Sequence, residues 1–142
     1  ENEPSPVKEE LWNSEKYQYK THDWNAPGIK DFVRRVNEAK LAHVAMQEYD
    51  NLEFHYSEND KVMAYSKRKG NDTVLCIANM DAHNVQESTV ALDMAKLGLP
   101  EDAFFFVKDL ITDESYVWRG SRNFVRLDPH KAPGHLLVVK KL

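Results

Sequence analysis

The sequence predicts a mainly β protein: an antiparallel β-sandwich of about eight strands, of Greek-key type, preceded by a long loop and one α-helix. Three observations predict it. A 3.6-residue apolar period governs residues 28–41, a period of two broken by turn residues governs nearly everything after residue 51, and the first 23 residues keep neither.

The leading segment is rich in Glu, Lys, Asn, Pro and Tyr and reads as a long functional loop or an unfolded leader. Asn25-Ala26-Pro27-Gly28 then supplies a capping residue and a proline for a first helical turn. Ile29, Phe32, Val33, Val36, Ala39 and Met46 form one apolar stripe, and nothing else in this half of the chain is apolar enough to cover it. An uncovered stripe, together with Glu1 in place of an initiator methionine, leads us to expect the tail of a larger enzyme.

Strands are expected over 52–56, 62–68, 73–80 and 85–93, separated by polar clusters such as Ser57-Glu58-Asn59-Asp60. A single helical turn follows at 94–98, and Leu99-Pro100-Glu101-Asp102 returns the chain to further strands over 103–110, 115–118, 122–128 and 135–140. The change of period places a hinge at 46–52 and divides the chain into domains 1–50 and 51–142. No internal repeat or low-complexity tract is visible.

Composition narrows the function classes. A formal charge of −4, from 19 basic and 23 acidic residues, with no basic cluster beyond Lys67-Arg68-Lys69, argues against nucleic acid as partner. That triplet precedes Gly70-Asn71-Asp72 and reads as a solvated hairpin end. No apolar run approaches the roughly 18 residues of a membrane span, no signal peptide opens the chain, and the cytoplasm is the expected compartment. The single cysteine, Cys76, lies in Val74-Leu75-Cys76-Ile77-Ala78 and reads as a buried, inert thiol.

Candidate chemistry is sparse. Six histidines, at 22, 43, 55, 83, 130 and 135, lack the paired spacing of zinc ligands, so no metal and no cofactor is expected. His43 falls near the apolar helix face, where a neighbouring backbone group would satisfy it. Asp109, Asp113 and Glu114 surround Leu110-Ile111-Thr112, where turn formation explains them without catalysis. Neither a Gly-rich phosphate loop nor a nucleophile elbow is present, and five glycines leave little room for one.

Two aromatic groups remain. Phe104, Phe105, Phe106, Tyr116, Trp118 and Phe124 are dense in the later strands, but alternation puts Phe105 opposite Phe104 and Phe106, which favours core packing over a sugar-binding platform. Ser14-Glu15-Lys16-Tyr17, with Trp12 before it and Tyr19 and Trp24 after it, sets rings beside a cationic amine. Such a group suits polyhydroxylated ligands, and it equally suits a loop anchored on a neighbouring domain.

Glu9-Glu10-Leu11-Trp12-Asn13-Ser14-Glu15-Lys16-Tyr17 and His22-Asp23-Trp24-Asn25-Ala26-Pro27-Gly28 resemble the stretch after the last barrel strand of the alpha-1,4-glucan:maltose-1-phosphate maltosyltransferases. Those enzymes belong to the alpha-amylase superfamily, glycoside hydrolase family thirteen. Asn51-Leu52-Glu53-Phe54, Ala78-Asn79-Met80-Asp81 with Gln86, Asp109-Leu110-Ile111-Thr112 and Arg126-Leu127-Asp128-Pro129 match the order of segments in the C-terminal sandwich of that family. The sequence departs from it at Ala82, where proline is usual, and at His43-Val44-Ala45-Met46, where Asn-Pro-Ala-Leu is usual.

The resemblance implies a parent (β/α)₈ barrel, with residues 1 to about 25 as the loop after strand eight and Gly28 to about Leu41 as the last barrel helix. It implies retaining transfer of maltosyl units from maltose 1-phosphate to an α-1,4-glucan, with the catalytic carboxylates on earlier strands and none in this chain. Lys16 and Tyr17 are the substrate-binding residues it implies, bonding the non-reducing sugar of the maltosyl donor. The partners it implies are the upstream barrel of the same chain and an α-glucan or maltosyl phosphate; a homodimer is what the uncovered apolar stripe of the helix suggests, since large bare apolar patches rarely remain monomeric. An amylase-like hydrolase's C-terminal domain and a separate carbohydrate-binding sandwich fit the residues as alternatives.

Overall fold

Every expected strand forms. The computed structural model describes Thr21 and residues 28–142, and it divides into a unit of residues 1–31 and a unit of residues 32–142. Of the first, the described residues are Thr21, a bend and turn at 28 and 29, and the first two residues of a helix. The helix entry expected at Asn25 to Pro27 lies outside the described residues.

Helix α1 spans Lys30–Ala42, and a short 3₁₀ turn follows at Val44–Gln47. The Gln47 side chain donates to the carbonyls of Lys40 and Leu41 at 3.1 and 3.2 Å, satisfying two acceptors that a helix end leaves bare. At the junction Asp72 accepts from the Ala45 amide at 2.9 Å and lies 2.8 Å from His43 Nδ1. A carboxylate, not the expected backbone group, is therefore what satisfies His43.

Eight strands follow: β1 Leu52–Ser57, β2 Val62–Lys69, β3 Asp72–Asn79, β4 Gln86–Ala91, β5 Phe104–Asp109, β6 Ser115–Arg119, β7 Arg122–Leu127 and β8 Gly134–Lys141. Helix α2, Met94–Leu97, sits between β4 and β5. All pairings are antiparallel, in the order β6-β5-β8-β3-β2-β1-β4-β7. The two layers of the sandwich are thus halves of one curled sheet. They join where β1 pairs with β4 through Tyr56↔Ala91 and Ser57↔Val90.

The turns explain the registers. Lys69 pairs with Asp72 across Gly70-Asn71, and Gly70 has a φ of 60°, the conformation a two-residue hairpin of this twist asks of its first loop residue. This is the solvated hairpin end read from the basic triplet. Strand β4 stops two residues short of expectation: the Leu92 amide still bonds the Ser121 carbonyl at 2.8 Å in the register of β4 with β7, but Asp93 leaves the ladder for the following helix. Asp93 then caps α2, accepting from Lys96 N at 3.1 Å.

Phe105, Leu75, Ile77, Leu137, Val107, Val90 and Leu127 fill the space inside the curl, each almost fully buried. Met94, Leu97 and Leu99 extend this core at α2. A second, smaller cluster lies on the outer face of β3 and β8, where Val74 and Leu136 pack against Ala39 and Ala45. The sheet therefore covers the end of the α1 stripe, while Ile29, Phe32, Val33 and Leu41 stay exposed. Cys76 borders this outer cluster, a half-buried free thiol whose pKa burial pushes up.

Strand β1 inverts the usual polarity of a sheet. Its apolar members Leu52, Phe54 and Tyr56 face outward, Phe54 being 67% exposed, while His55 faces the interior. His55 Nδ1 accepts from the Asp93 amide at 3.0 Å, so the neutral ring carries its proton on Nε2 and donates to Ser66 Oγ at 2.8 Å. Burial holds the His55 pKa below its ordinary value, outweighing the attraction of Asp93 and Glu53.

Two outcomes follow from this packing. A Cβ at Gly134 would lie 2.7 Å from the Ile77 carbonyl, a backbone atom, so Gly134→Ala should cost about 1 to 3 kcal/mol in urea unfolding. An unchanged midpoint would refute that close approach. His55 makes the folded state less basic than the unfolded chain, so its contribution is present above about pH 6.5 and is lost as pH falls through that value toward the folded pKa. The drop in stability between pH 7.5 and 5.5 should accordingly be smaller in His55→Gln than in the parent chain.

Candidate functional site

Lys16 and Tyr17, with Trp12, Ser14, Glu15, Tyr19 and Trp24, lie outside the described residues. What the structure places are the polar residues of the sandwich. Each of the four segments quoted from it takes part in holding loops to strands.

Asp109 is fully buried on the inward register of β5, in line with Phe105 and Val107. Its carboxylate accepts from the Ile111 amide at 2.9 Å and the Leu136 amide at 3.3 Å, and lies 2.7 Å from His135 Nδ1. Burial pushes its pKa up, but the bond from His135 and those two amides together outweigh burial and hold it below the usual carboxylate range. The turn reading of this acid is right as far as it goes. Alternation along Phe105, Val107 and Asp109 was the signal for the rest, since an ionisable group at an inward position needs partners.

The other two acids are exposed. Asp113 adopts a φ of 64° and pairs with Arg35 at 2.8 Å, tying the β5–β6 turn to α1. Glu114 accepts from the Tyr116 hydroxyl, and that bond with partial burial pushes the tyrosine pKa up to about 12.

Asp81 organises the β3–β4 connection. It accepts from the amides of His83 and Asn84 at 2.9 and 3.1 Å and from the side chains of Asn84 and Gln86 at 3.0 and 2.9 Å. These bonds, led by that of His83, hold its pKa far below the ordinary range. Asn79 joins the same loop to β7 by donating to Asn84 O at 2.9 Å and Leu127 O at 3.3 Å. Asn51 donates to the carbonyls of Ala45 and Arg68 at 2.9 and 3.1 Å, fastening the 3₁₀ turn to β2.

Among the described residues, no group of three or more His, Cys, Asp or Glu side chains converges as a metal site would require. Among them, too, no helix is long and apolar enough to cross a membrane. One cleft, of about 380 Å³, opens between β6 and β7, the two edges of the sheet among the described residues, and is lined by Tyr116, Trp118, Phe124, Arg126 and His135 among others. The later aromatics do not form one plane: Phe105 is buried against Trp118, while Phe104 lies on the outer face under the Arg119 guanidinium, 5.1 Å from its ring centre.

Solved structures place this fold. A maltogenic alpha-amylase of Thermotoga neapolitana matches at a TM-score of 0.56 and 18% identity, covering 77% of this chain and 24% of the amylase. The structure of AmyP E221Q with maltotriose matches at 0.55 and 17%, covering 80% and 21%. The fold is thus that of an antiparallel β-domain also found within alpha-amylase structures.

The family model described as GLGE, C-terminal, matches residues 54–139, and the chain belongs to that family. Alpha-1,4-glucan:maltose-1-phosphate maltosyltransferase 2 of Streptomyces coelicolor is 43% identical over 138 residues, covering 94% of this chain and 20% of the relative. The maltosyltransferase of Methylacidiphilum infernorum is 39% identical, covering 96% and 21%, and that of Mycobacterium tuberculosis 35%, covering 91% and 19%. The chain spans about one-fifth of the length of these curated relatives and corresponds to a C-terminal part of them.

The Asp109 arrangement has a direct test. Removing a fully buried carboxylate that holds two amides and an imidazole should cost about 3 to 5 kcal/mol in Asp109→Ala. Asp113→Ala, measured by the same thermal or urea unfolding, should leave the midpoint nearly unchanged because its ion pair is solvated.

Proposed function

We propose that this chain is the C-terminal part of an enzyme that transfers maltosyl units from maltose 1-phosphate to an α-1,4-glucan. The observation that carries the reading is similarity to named maltosyltransferases along almost the whole chain, 43% over 138 residues in one case. In this reading residues 1–50 end the catalytic barrel and residues 51–142 form an accessory domain that carries no catalytic acid. The parent works in the cytoplasm as a homodimer.

Two exposed apolar faces support a missing neighbour. Phe32, Val33 and Leu41 on α1, and Leu52, Phe54 and Tyr56 on β1, are all exposed. Side chains of this kind are stabilised by burial, at about 25 cal/mol for each Å² removed from water, so a barrel packed there would offset the cost of presenting them. The sandwich then acts as a buttress.

Lys16 and Tyr17 take the role of donor-binding residues in this proposal, hydrogen-bonding the terminal sugar of the maltosyl unit. The isolated chain should release no phosphate from maltose 1-phosphate with a glucan acceptor, and measurable turnover would overturn the assignment. In the full-length parent, Lys16→Ala should lower kcat/KM for the donor by about 10- to 100-fold, the range expected when one charged hydrogen bond is lost. Unaltered donor kinetics would remove Lys16 from the site.

A further inference from the structure

We propose that the cleft between β6 and β7 is an ancillary binding site for α-1,4-linked glucan, with a short run of glucosyl units resting against Tyr116, Trp118 and Phe124. The choice of polymer rests on the transferase reading above; the site itself rests on the cleft's construction.

That construction begins with the sheet. Strands β6 and β7 are joined through Gly120-Ser121, and among the described residues each is hydrogen-bonded to a strand only on its far side, to β5 and β4. Tyr116 and Trp118 point from β6 toward the core, yet both stay partly exposed, and among the described residues no strand closes over them. Phe124 borders the opening from β7, where it stands with Arg126 on the outward register while Val125 and Leu127 face in, and it is 62% exposed. An opening of about 380 Å³ with rings on two sides falls within the size range of small-ligand sites.

The polar groups around these rings are held in place, each by its own carboxylate. Asp109 fixes His135 through Nδ1 at 2.7 Å, and the imidazole, 15% exposed, lines the cleft. Glu114 fixes the Tyr116 hydroxyl, and Glu87 fixes Arg126 through Nε at 3.0 Å. Groups oriented before binding lose little freedom when a ligand arrives. Rings that cover C–H faces, beside an imidazole, a phenol and a guanidinium that bond hydroxyls, match a neutral polyhydroxylated chain. A phosphate-bearing ligand fits less well, because Glu114 and Asp128 share the lining with Arg126 and Lys131.

The test is electrophoresis of the 142-residue chain through gels containing glycogen, with maltoheptaose titration followed by NMR. Glycogen should retard the chain, and maltoheptaose should bind with a dissociation constant on the order of 1 mM. Phe124→Ser, whose exposed ring contributes little to the core, should weaken both at least about fivefold, as should Arg126→Ser. Phe104→Ser, an exposed ring outside the cleft, should behave as the parent chain does, and circular dichroism should show all three variants folded.

Absence of retardation, equal retardation of Phe124→Ser, or equal retardation in dextran would each overturn the site. Failure of the transferase reading registers elsewhere, in the absence of phosphate release from maltose 1-phosphate by the full-length protein, which the gels do not measure.

Discussion

Strands β3 and β8 must be covered on both faces, and the rest of the fold is arranged to supply the two covers. Their inner side chains, Leu75, Ile77, Leu137 and Val139, meet the far half of the curled sheet. Their outer ones, Val74 and Leu136, meet Ala39 of α1 and Ala45 of the 3₁₀ turn. Such strands read as continuous apolar runs, as Val74-Leu75-Cys76-Ile77-Ala78 does, whereas strands with one wet face alternate. The clamp of Asp72 on His43 and Ala45, with Asn51 on the Ala45 carbonyl, keeps the outer cover in position. The small residues Ala39 and Ala45 let a helix and a turn approach the sheet closely.

Polar groups inside the curl carry the opposite burden. His55 and Asp109 are both buried, and each is tolerable only because every bond it needs is close by. Both tie distant pieces of chain together: His55 links β1 to β2 and to the cap of α2, and Asp109 links β5 to β8 and to its own following turn. A buried acid so engaged fixes registers that apolar packing alone would leave freer, since apolar side chains interchange more readily than directed bonds do.

Element types and most boundaries were legible because period-two alternation and turn residues such as Gly70-Asn71 are local signals. Strand β4 ends before residue 93 because Asp93 is recruited as the cap of α2 by the Lys96 amide, a contact that the alternation before it does not announce. The facing of β1 was not legible at all. Leu52, Phe54 and Tyr56 alternate as a core face would, and only His55, bonded to Ser66 and Asp93, reveals which side is inward. The uncovered helix stripe was read correctly at Phe32 and Val33, but its far end at Ala39 found a cover in the sheet, a contact that no neighbouring residue announces. Asp109 looked like a turn acid because its carboxylate partners lie at Ile111 and across at 135–136.

A sheet that stops just short of closing keeps two raw margins, each offering unsatisfied backbone groups that could recruit a stray strand. Here those margins are fenced. Strand β6 is five residues long, and Arg119, Arg122 and Arg126 stand along the two borders with their charges in water. Two of these arginines are anchored sideways on β7, Arg122 to Glu58 and Arg126 to Glu87, so the fence is kept upright. The same posts that keep other polypeptides from zipping onto the gap leave it accessible to solutes without a backbone to pair.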